Sequence, residues 1–190
     1  MLRTTLTLIV TTLVLFGILY PLSIWAIGQL LPHQANGKPL YINGELRGFE
    51  NIAQAFTSAP YFWSRPSDVD YNGADTGGSN FGPSNQAFHE QVKGRIAFLL
   101  EQHPEKKASD IPVDLVTSSG SGLDPHISLQ AAIFQLERVA KARGISENTL
   151  MEMLERHTQG ALLGLFGPKE TIHVLKLNIE LDQKYPLTNP

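Results

Sequence analysis

The sequence contains no cysteine. Disulfide staples, thiolate metal sites, a cysteine nucleophile and a cysteine-linked lipid anchor are therefore excluded. A basic excess is missing as well: 15 Lys and Arg stand against 18 Asp and Glu, a formal charge of −3. No cationic stripe with interleaved aromatics occurs, so no nucleic-acid partner is expected. The six histidines are scattered and form no H-x-x-x-H pair, so no metal site is expected. Neither G-x-S-x-G nor G-x-x-x-x-G-K-[ST] occurs, and no internal repeat is visible. Charge of either sign is absent from the whole stretch between Arg3 and Lys38.

That last absence points to what is present. Leu6 to Leu31 is almost entirely apolar. About 20 helical residues cross the hydrocarbon core of a bilayer, and this run is long enough. Tyr20 and Trp25 suit a headgroup region, and Pro21 is a position where a kink is expected. A signal peptide has an apolar region of about 7–15 residues, which favours an uncleaved anchor here. Ala161 to Phe166 is apolar but too short to span. The expected organisation is a tail over 1–5, a transmembrane helix over 6–31 and one domain over 32–190. The balance of Arg3 against Lys38 and Arg47 leaves the orientation open. Thr4, Thr7 and Thr11 share one helix face, with Gly17 beyond. Small and hydroxylated residues of this kind let helices approach closely in lipid.

The remainder reads as a mixed α+β domain. Asn43-Gly44 predicts a type I′ hairpin within Lys38–Glu50. Glu50 to Phe56 reads as a short helix. Ser58 to Gln86 is dense in Gly, Pro, Ser, Asn and Asp, and reads as a long functional or mobile loop. Ser84 or Asn85 caps a helix with Phe88, Val92, Ile96, Leu99 and Leu100 on one face. Ile111 to Thr117 reads as a strand. Ser128 opens a second helix that stops at Gly144, and Ser146 a third that ends at Gly160. In "HVLKLNIELDQ" a strict two-residue alternation predicts a strand, although Leu, Lys and Glu favour helix.

"TSSGSGLDPHIS", Thr117 to Ser128, crowds hydroxyls with Asp124 and His126. A membrane-anchored hydrolase using Ser119 or Ser121 with His126 is one reading. The other is a turn and helix cap, in which Gly120 and Gly122 permit tight backbone and Asp124-Pro125 starts a turn. Gly77, Gly78, Ser79 and Asn80 form a second glycine-rich stretch. It suits packing turns, with an anion nest as the functional alternative. Asp68, Asp70 and Asp75 could raise the local cation concentration. In the amphipathic run after Ser128, Gln135 and Arg138 read as exposed polar positions.

The uncharged helix, "YFWSRPS", "DYN", "GGSNFGPSN", "DLVTSSGSGLDPHIS", "RVAKARG" and "HVLKLNIELD" occur in an order that resembles the C-subunit family of the bacterial Kdp potassium-transporting P-type ATPase. The resemblance runs from Leu6 to Asp182. It implies an accessory subunit in a membrane complex with a channel-like potassium-translocating subunit, a P-type ATPase subunit and a small hydrophobic subunit. It also implies a cytoplasmic amino terminus, a periplasmic domain in the inner membrane of a bacterium, and a catalytic-chaperone role that raises ATP affinity. ATP and potassium are then handled by the complex, with no cofactor on this chain and no catalytic residue. Gln135-x-x-Arg138 matches what is likened in that family to a nucleotide-sensing signature. The rival to this reading, besides a hydrolase, is a single-helix binding or sensor module with its own ligand.

Overall fold

The computed structural model describes residues 1–161 and 163–187. The chain divides into two compact units, Met1–Phe49 and Glu50–Pro190.

The first unit opens with a continuous helix, Leu2–Leu30, long and apolar enough to cross a membrane. It comprises α1 (Leu2–Val14), a π-helical turn (Leu15–Leu19) and α2 (Tyr20–Leu30). The π turn has a local cause. Pro21 has no N–H to give to the carbonyl four residues back, so the ladder widens just ahead of it, and the Tyr20 N–H reaches back to the Leu15 carbonyl. A short helix, α3 (Pro32–Ala35), follows. Strands β1 (Pro39–Ile42) and β2 (Glu45–Phe49) then pair antiparallel. Asn43 and Gly44 both take positive φ, 53° and 82°, as the type I′ turn requires.

The second unit holds α4 (Gln86–Gln102), β3 (His126–Ser128), α5 (Leu129–Arg143), α6 (Glu147–His157), β4 (Thr158–Gln159), β5 (Thr171–His173) and α7 (Val174–Lys184). The sheet order is β3-β5-β4, antiparallel throughout. Ile127 lies opposite Ile172 at its centre, and both are buried. Helices α5, α6 and α7 complete the core through Val139, Leu150, Met153, Leu154, Leu177 and Leu181.

The helix starts follow from sequence. Asn85 Oδ1 accepts from the Ala87 N–H, Ser128 Oγ from the Ala131 N–H, and Ser146 Oγ from the Thr149 N–H. Each satisfies one of the first-turn donors that a helix leaves orphaned. Gly144 ends α5 in the left-handed conformation, φ 66°.

Four expectations fail. "HVLKLNIELDQ" is helical from Val174 onward, and only Thr171–His173 is strand. Its buried positions are Val174, Leu175, Leu177, Asn178 and Leu181, a stripe of helical spacing that the two-residue alternation conceals. His173 accepts from the Lys176 N–H as the cap, and the helix-forming Leu, Lys and Glu do the rest. Ile111 to Thr117 is not a strand: Val113–Leu115 forms a 3₁₀ turn, with Ala108–Asp110 before it. Glu50 to Phe56 is not helical; the Ala53 N–H is drawn instead to the Leu123 carbonyl, 2.8 Å away. Finally, α6 stops at His157 rather than Gly160, because Thr158 and Gln159 pair with β5.

Ser128 Oγ also donates to Asp114, so it ties the start of α5 to the preceding turn. Ser128→Ala is expected to destabilise the domain by roughly 1–2 kcal/mol, and Ser128→Thr by much less. Thermal unfolding of the full chain in mild detergent reads the difference.

Candidate functional site

Two places gather the polar side chains that sequence reading singles out. One is internal, around Gln135 and Arg138. The other is a surface where the two glycine-rich stretches meet.

The internal cluster is built on Ser58–Trp63, a turn at Ser58–Tyr61 that leads into Phe62 and Trp63 and forms part of no sheet. Phe62 is fully buried and Trp63 nearly so, so their backbone polar groups cannot turn to water. Side chains satisfy them instead. Asn178 Oδ1 accepts from the Phe62 N–H and its Nδ2 donates to the Phe62 carbonyl, both at 2.9 Å. Gln135 does the same for the next residue, its Oε1 accepting from the Trp63 N–H at 2.7 Å and its Nε2 donating to the Trp63 carbonyl at 3.2 Å.

Two arginines finish the task. Arg138 Nη1 donates to the carbonyls of Ala59 and Tyr61, and Nη2 donates to Gln135 Oε1. Its guanidinium lies 3.8 Å from the centre of the Trp63 ring, a stacked cation–π contact. Arg143 Nε donates to the Pro60 carbonyl, and its Nη2 pairs with Asp182 at 2.7 Å. The Trp63 indole N–H takes the Ser58 carbonyl. Every carbonyl from Ser58 to Trp63 thus accepts a hydrogen bond from a side chain. The expectation that Gln135 and Arg138 are merely exposed polar positions is overturned: Gln135 is fully buried, and Nε and both Nη atoms of Arg138 are engaged inside the fold. Phe62, Trp63 and Ser64, within the stretch expected to be a loop, are likewise buried.

Charge in this cluster is tuned by burial. Desolvation lowers the Arg138 pKa to about 10, which still leaves it charged at neutral pH. His103 donates Nδ1–H to the Leu99 carbonyl and accepts from Arg138 at Nε2. Both ring nitrogens are thus committed to the neutral form. Desolvation, aided by the Arg138 and Lys106 charges, holds its pKa below the usual histidine value. Arg138 also borders an open cleft of about 250 Å³ with Lys106, Glu137 and Lys141.

The surface site joins the two glycine-rich stretches. The Gly77 N–H donates to the Ser121 carbonyl, and Thr76 Oγ1 reaches the same oxygen. At Gly122 a Cβ would lie 2.6 Å from Val69 Cγ2 and 2.9 Å from the Gly77 carbonyl oxygen, and φ is 69°, so only glycine fits. Arg95 bridges Asp68, Ser118 Oγ and the Val116 carbonyl, while Asp68 also accepts from the Ser79 N–H. Asp68 is therefore a structural tie. The expectation that it helps concentrate cations with Asp70 and Asp75 fails for Asp68; Asp70 and Asp75 are exposed. Asn80 sits at φ 53° beside an open cleft of about 290 Å³ that Gly120 also lines.

Hydrolase geometry does not assemble here. Ser121 Oγ accepts from the Leu123 N–H, and Ser119 Oγ accepts from the Asp124 N–H. Asp124 receives the His126 backbone N–H and lies 3.1 Å from its ring Nδ1. Neither serine hydrogen-bonds His126 among the described residues. Burial pushes the Asp124 carboxyl up, but the His126 hydrogen bonds and the Arg65 guanidinium outweigh it and hold the pKa below the usual range. The stretch from Thr117 to Ser128 acts as a turn and cap. No group of three His, Asp or Glu side chains suited to a metal occurs among the described residues.

In the apolar helix, the hydroxyls of Thr5, Thr7 and Thr12 bond carbonyls of their own helix one turn back. At Gly17 an added Cβ would meet nothing within 4 Å. Thr4, Thr7 and Thr11 lie on one exposed face, and Gly17 is exposed further along the helix.

Asn178, Arg143 and Trp63 were not singled out from the sequence. A signal for Asn178 exists: once "HVLKLNIELDQ" is read as a helix, it stands four residues after Val174 and three before Leu181, a polar residue on the apolar stripe. Gln135 stands likewise between Ala131 and Val139.

The architecture is one helix long and apolar enough to cross a membrane together with a mixed α/β unit. Comparison with known proteins makes this specific. The family model described as "KdpC: K+-transporting ATPase, c chain" matches residues 2–183. A protein of Flavobacterium johnsoniae named "Potassium-transporting ATPase KdpC subunit" is 48% identical over 93% of this chain and 94% of its own length. Proteins of the same name from Caldanaerobacter subterraneus and Polaromonas naphthalenivorans are 45% and 43% identical, over 89% and 100% of this chain and 88% and 97% of their own lengths. The chain belongs to the KdpC family.

Two outcomes follow from these geometries. Asn178→Leu and Gln135→Leu each orphan a buried N–H and a buried carbonyl, at roughly 1–3 kcal/mol per group, so each is expected to lower stability by several kcal/mol. Denaturant unfolding of the full chain in detergent measures it. The second concerns His173, whose Nε2 faces the Glu50 carbonyl at 2.7 Å while Nδ1 accepts from the Lys176 N–H. Desolvation lowers its pKa from 6.5 to about 4. Between those values the unfolded chain binds the proton and the folded chain does not, so stability is full above about 6.5 and falls as pH drops toward about 4. His173→Asn keeps a cap acceptor and is expected to flatten that slope in pH-dependent melts.

Proposed function

We propose that this chain is the non-catalytic accessory subunit of a high-affinity, ATP-driven potassium-uptake complex. Its apolar helix anchors it in the bacterial inner membrane, with the amino terminus cytoplasmic and the α+β domain periplasmic. Its partners are a channel-like potassium-translocating subunit, a P-type ATPase subunit and a small hydrophobic subunit. The chain braces that assembly, and partner helices approach closely at the Thr4, Thr7 and Thr11 face and at Gly17 beyond it.

One observation carries the mechanistic part. Gln135 and Arg138, the residues likened to a nucleotide signature, are committed to internal hydrogen bonds. Gln135 is fully buried, and a phosphate would have to displace the Ser58–Trp63 backbone to reach it, while the guanidinium donors of Arg138 are already taken. Any rise in ATP affinity is then indirect: the subunit favours an ATPase arrangement that binds ATP better, by a coupling free energy between separate sites. No nucleotide or potassium ion need bind this chain. The hydrolase reading has no supporting geometry, because both serine hydroxyls serve the turn.

The test is purification from native membranes through a carboxyl-terminal tag, followed by ATP titration. Recovery of the channel-like and ATPase subunits, with potassium-stimulated hydrolysis, is expected. Omitting this chain from the complex is expected to raise the apparent KM for ATP, while the full chain alone binds no ATP saturably. Recovery of this chain alone from a strain expressing the others contradicts the proposal. So does saturable ATP binding by the full chain that Arg138→Ala abolishes without unfolding it.

A further inference from the structure

The connection between β4 and β5 has a composition that nothing above uses. From Gly160 to Pro168 the sequence reads Gly-Ala-Leu-Leu-Gly-Leu-Phe-Gly-Pro, without a charged or hydrogen-bonding side chain. Leu163, Leu165 and Phe166 are 82%, 81% and 63% exposed. The other strongly exposed large apolar residues of the second unit, Phe81, Phe98, Val113, Ile133 and Leu187, stand singly in sequence. Isolated residues of that kind are ordinary on a protein surface, whereas a cluster calls for something to cover it. The run turns on Leu163, Gly164 and Gly167, all at positive φ, and the Gly164 N–H donates to the Ala161 carbonyl at 2.9 Å.

We infer that this tip dips into the boundary between headgroups and acyl chains of a lipid bilayer. The inference rests on the membrane anchorage proposed above. Three features select lipid over a protein groove. The tip brings leucine and phenylalanine with no hydrogen-bonding side chain, whereas protein interfaces carry about one hydrogen bond per 100–200 Å². Lys169 follows at once and is exposed, a cation placed for lipid phosphates. And the same chain carries a helix long and apolar enough to cross a bilayer. Three side chains would hold a free domain to a membrane only weakly. Tethering makes their contact intramolecular, where weak affinity suffices.

The absence of native cysteine makes the test direct. A polarity-sensitive fluorophore is placed on Leu165→Cys in the full chain, reconstituted alone into phosphatidylcholine–phosphatidylglycerol vesicles with or without bromine on the acyl chains. Leu13→Cys reports the anchor and Glu105→Cys an exposed polar surface. The Leu165 position is expected to be blue-shifted and quenched by the brominated chains, as at Leu13, with neither effect at Glu105. Adding Phe166→Asp is expected to return the Leu165 probe toward aqueous emission. Quenching at Leu13 with aqueous emission at Leu165 overturns the insertion and leaves the anchor intact. Absence of quenching at Leu13 overturns the anchorage and the insertion with it. Shielding of Leu165 only when partner subunits are present, without quenching by lipid, overturns it in favour of a protein contact.

Discussion

The second unit depends on a backbone that must be buried without belonging to a sheet. Residues Ser58 to Trp63 carry Phe62 and Trp63 into the core, and among the described residues no strand pairs with them to take their N–H and carbonyl groups. A primary amide is a peptide group at the end of a side chain, so Asn178 and Gln135 imitate the missing neighbour, one residue each. The guanidinium forks of Arg138 and Arg143 hold the residues before them. The amides and Arg138 share atoms: Gln135 Oε1 receives both the Trp63 N–H and an Arg138 Nη2 hydrogen. A network of this kind is stable only when complete, since each buried group left over costs more than a finished bond contributes. It also fixes α5 and α7 relative to one another, because Gln135, Arg138 and Arg143 come from the first helix and Asn178 from the second.

That arrangement explains why some of the protein was legible in its sequence and some was not. Local chemistry was readable. The uncharged N-terminal run, the Asn43-Gly44 turn, the Asn85, Ser128 and Ser146 caps and the Gly144 stop each depend on a few neighbouring residues. The long-range part was not. Gln135 and Trp63 are 72 residues apart, and Asn178 and Phe62 are 116 apart; nothing local announces either pair. The misreading of α7 has a different origin. Leu175, Leu177, Ile179 and Leu181 alternate by accident of a broad apolar stripe, and helix propensity together with the His173 cap prevails over the two-residue period. Of the candidate site, Gly77, Gly78, Gly120, Ser121 and Gly122 do come together, but as one loop against another rather than around a reacting atom.

The surface made by those loops is stiffened from beneath. Arg95 ties Asp68 to Ser118, and Tyr71 donates its hydroxyl hydrogen to the Arg65 carbonyl. Gly122 admits no side chain where Val69 and Gly77 press against it. A stretch so rich in Gly, Ser and Asn is here a shaped surface. The serines that suggest a nucleophile are occupied in making that shape.

Gln135 and Arg138 either belong to the fold or serve a ligand. Hydrogen–deuterium exchange of the full chain in detergent, with and without ATP, measures this most directly at the Phe62 and Trp63 amides. The network predicts exchange as slow as in the core of α5, reached only through global opening and unchanged by ATP. Fast exchange at those two amides, or protection around Gln135 and Arg138 that appears only with ATP, would contradict it.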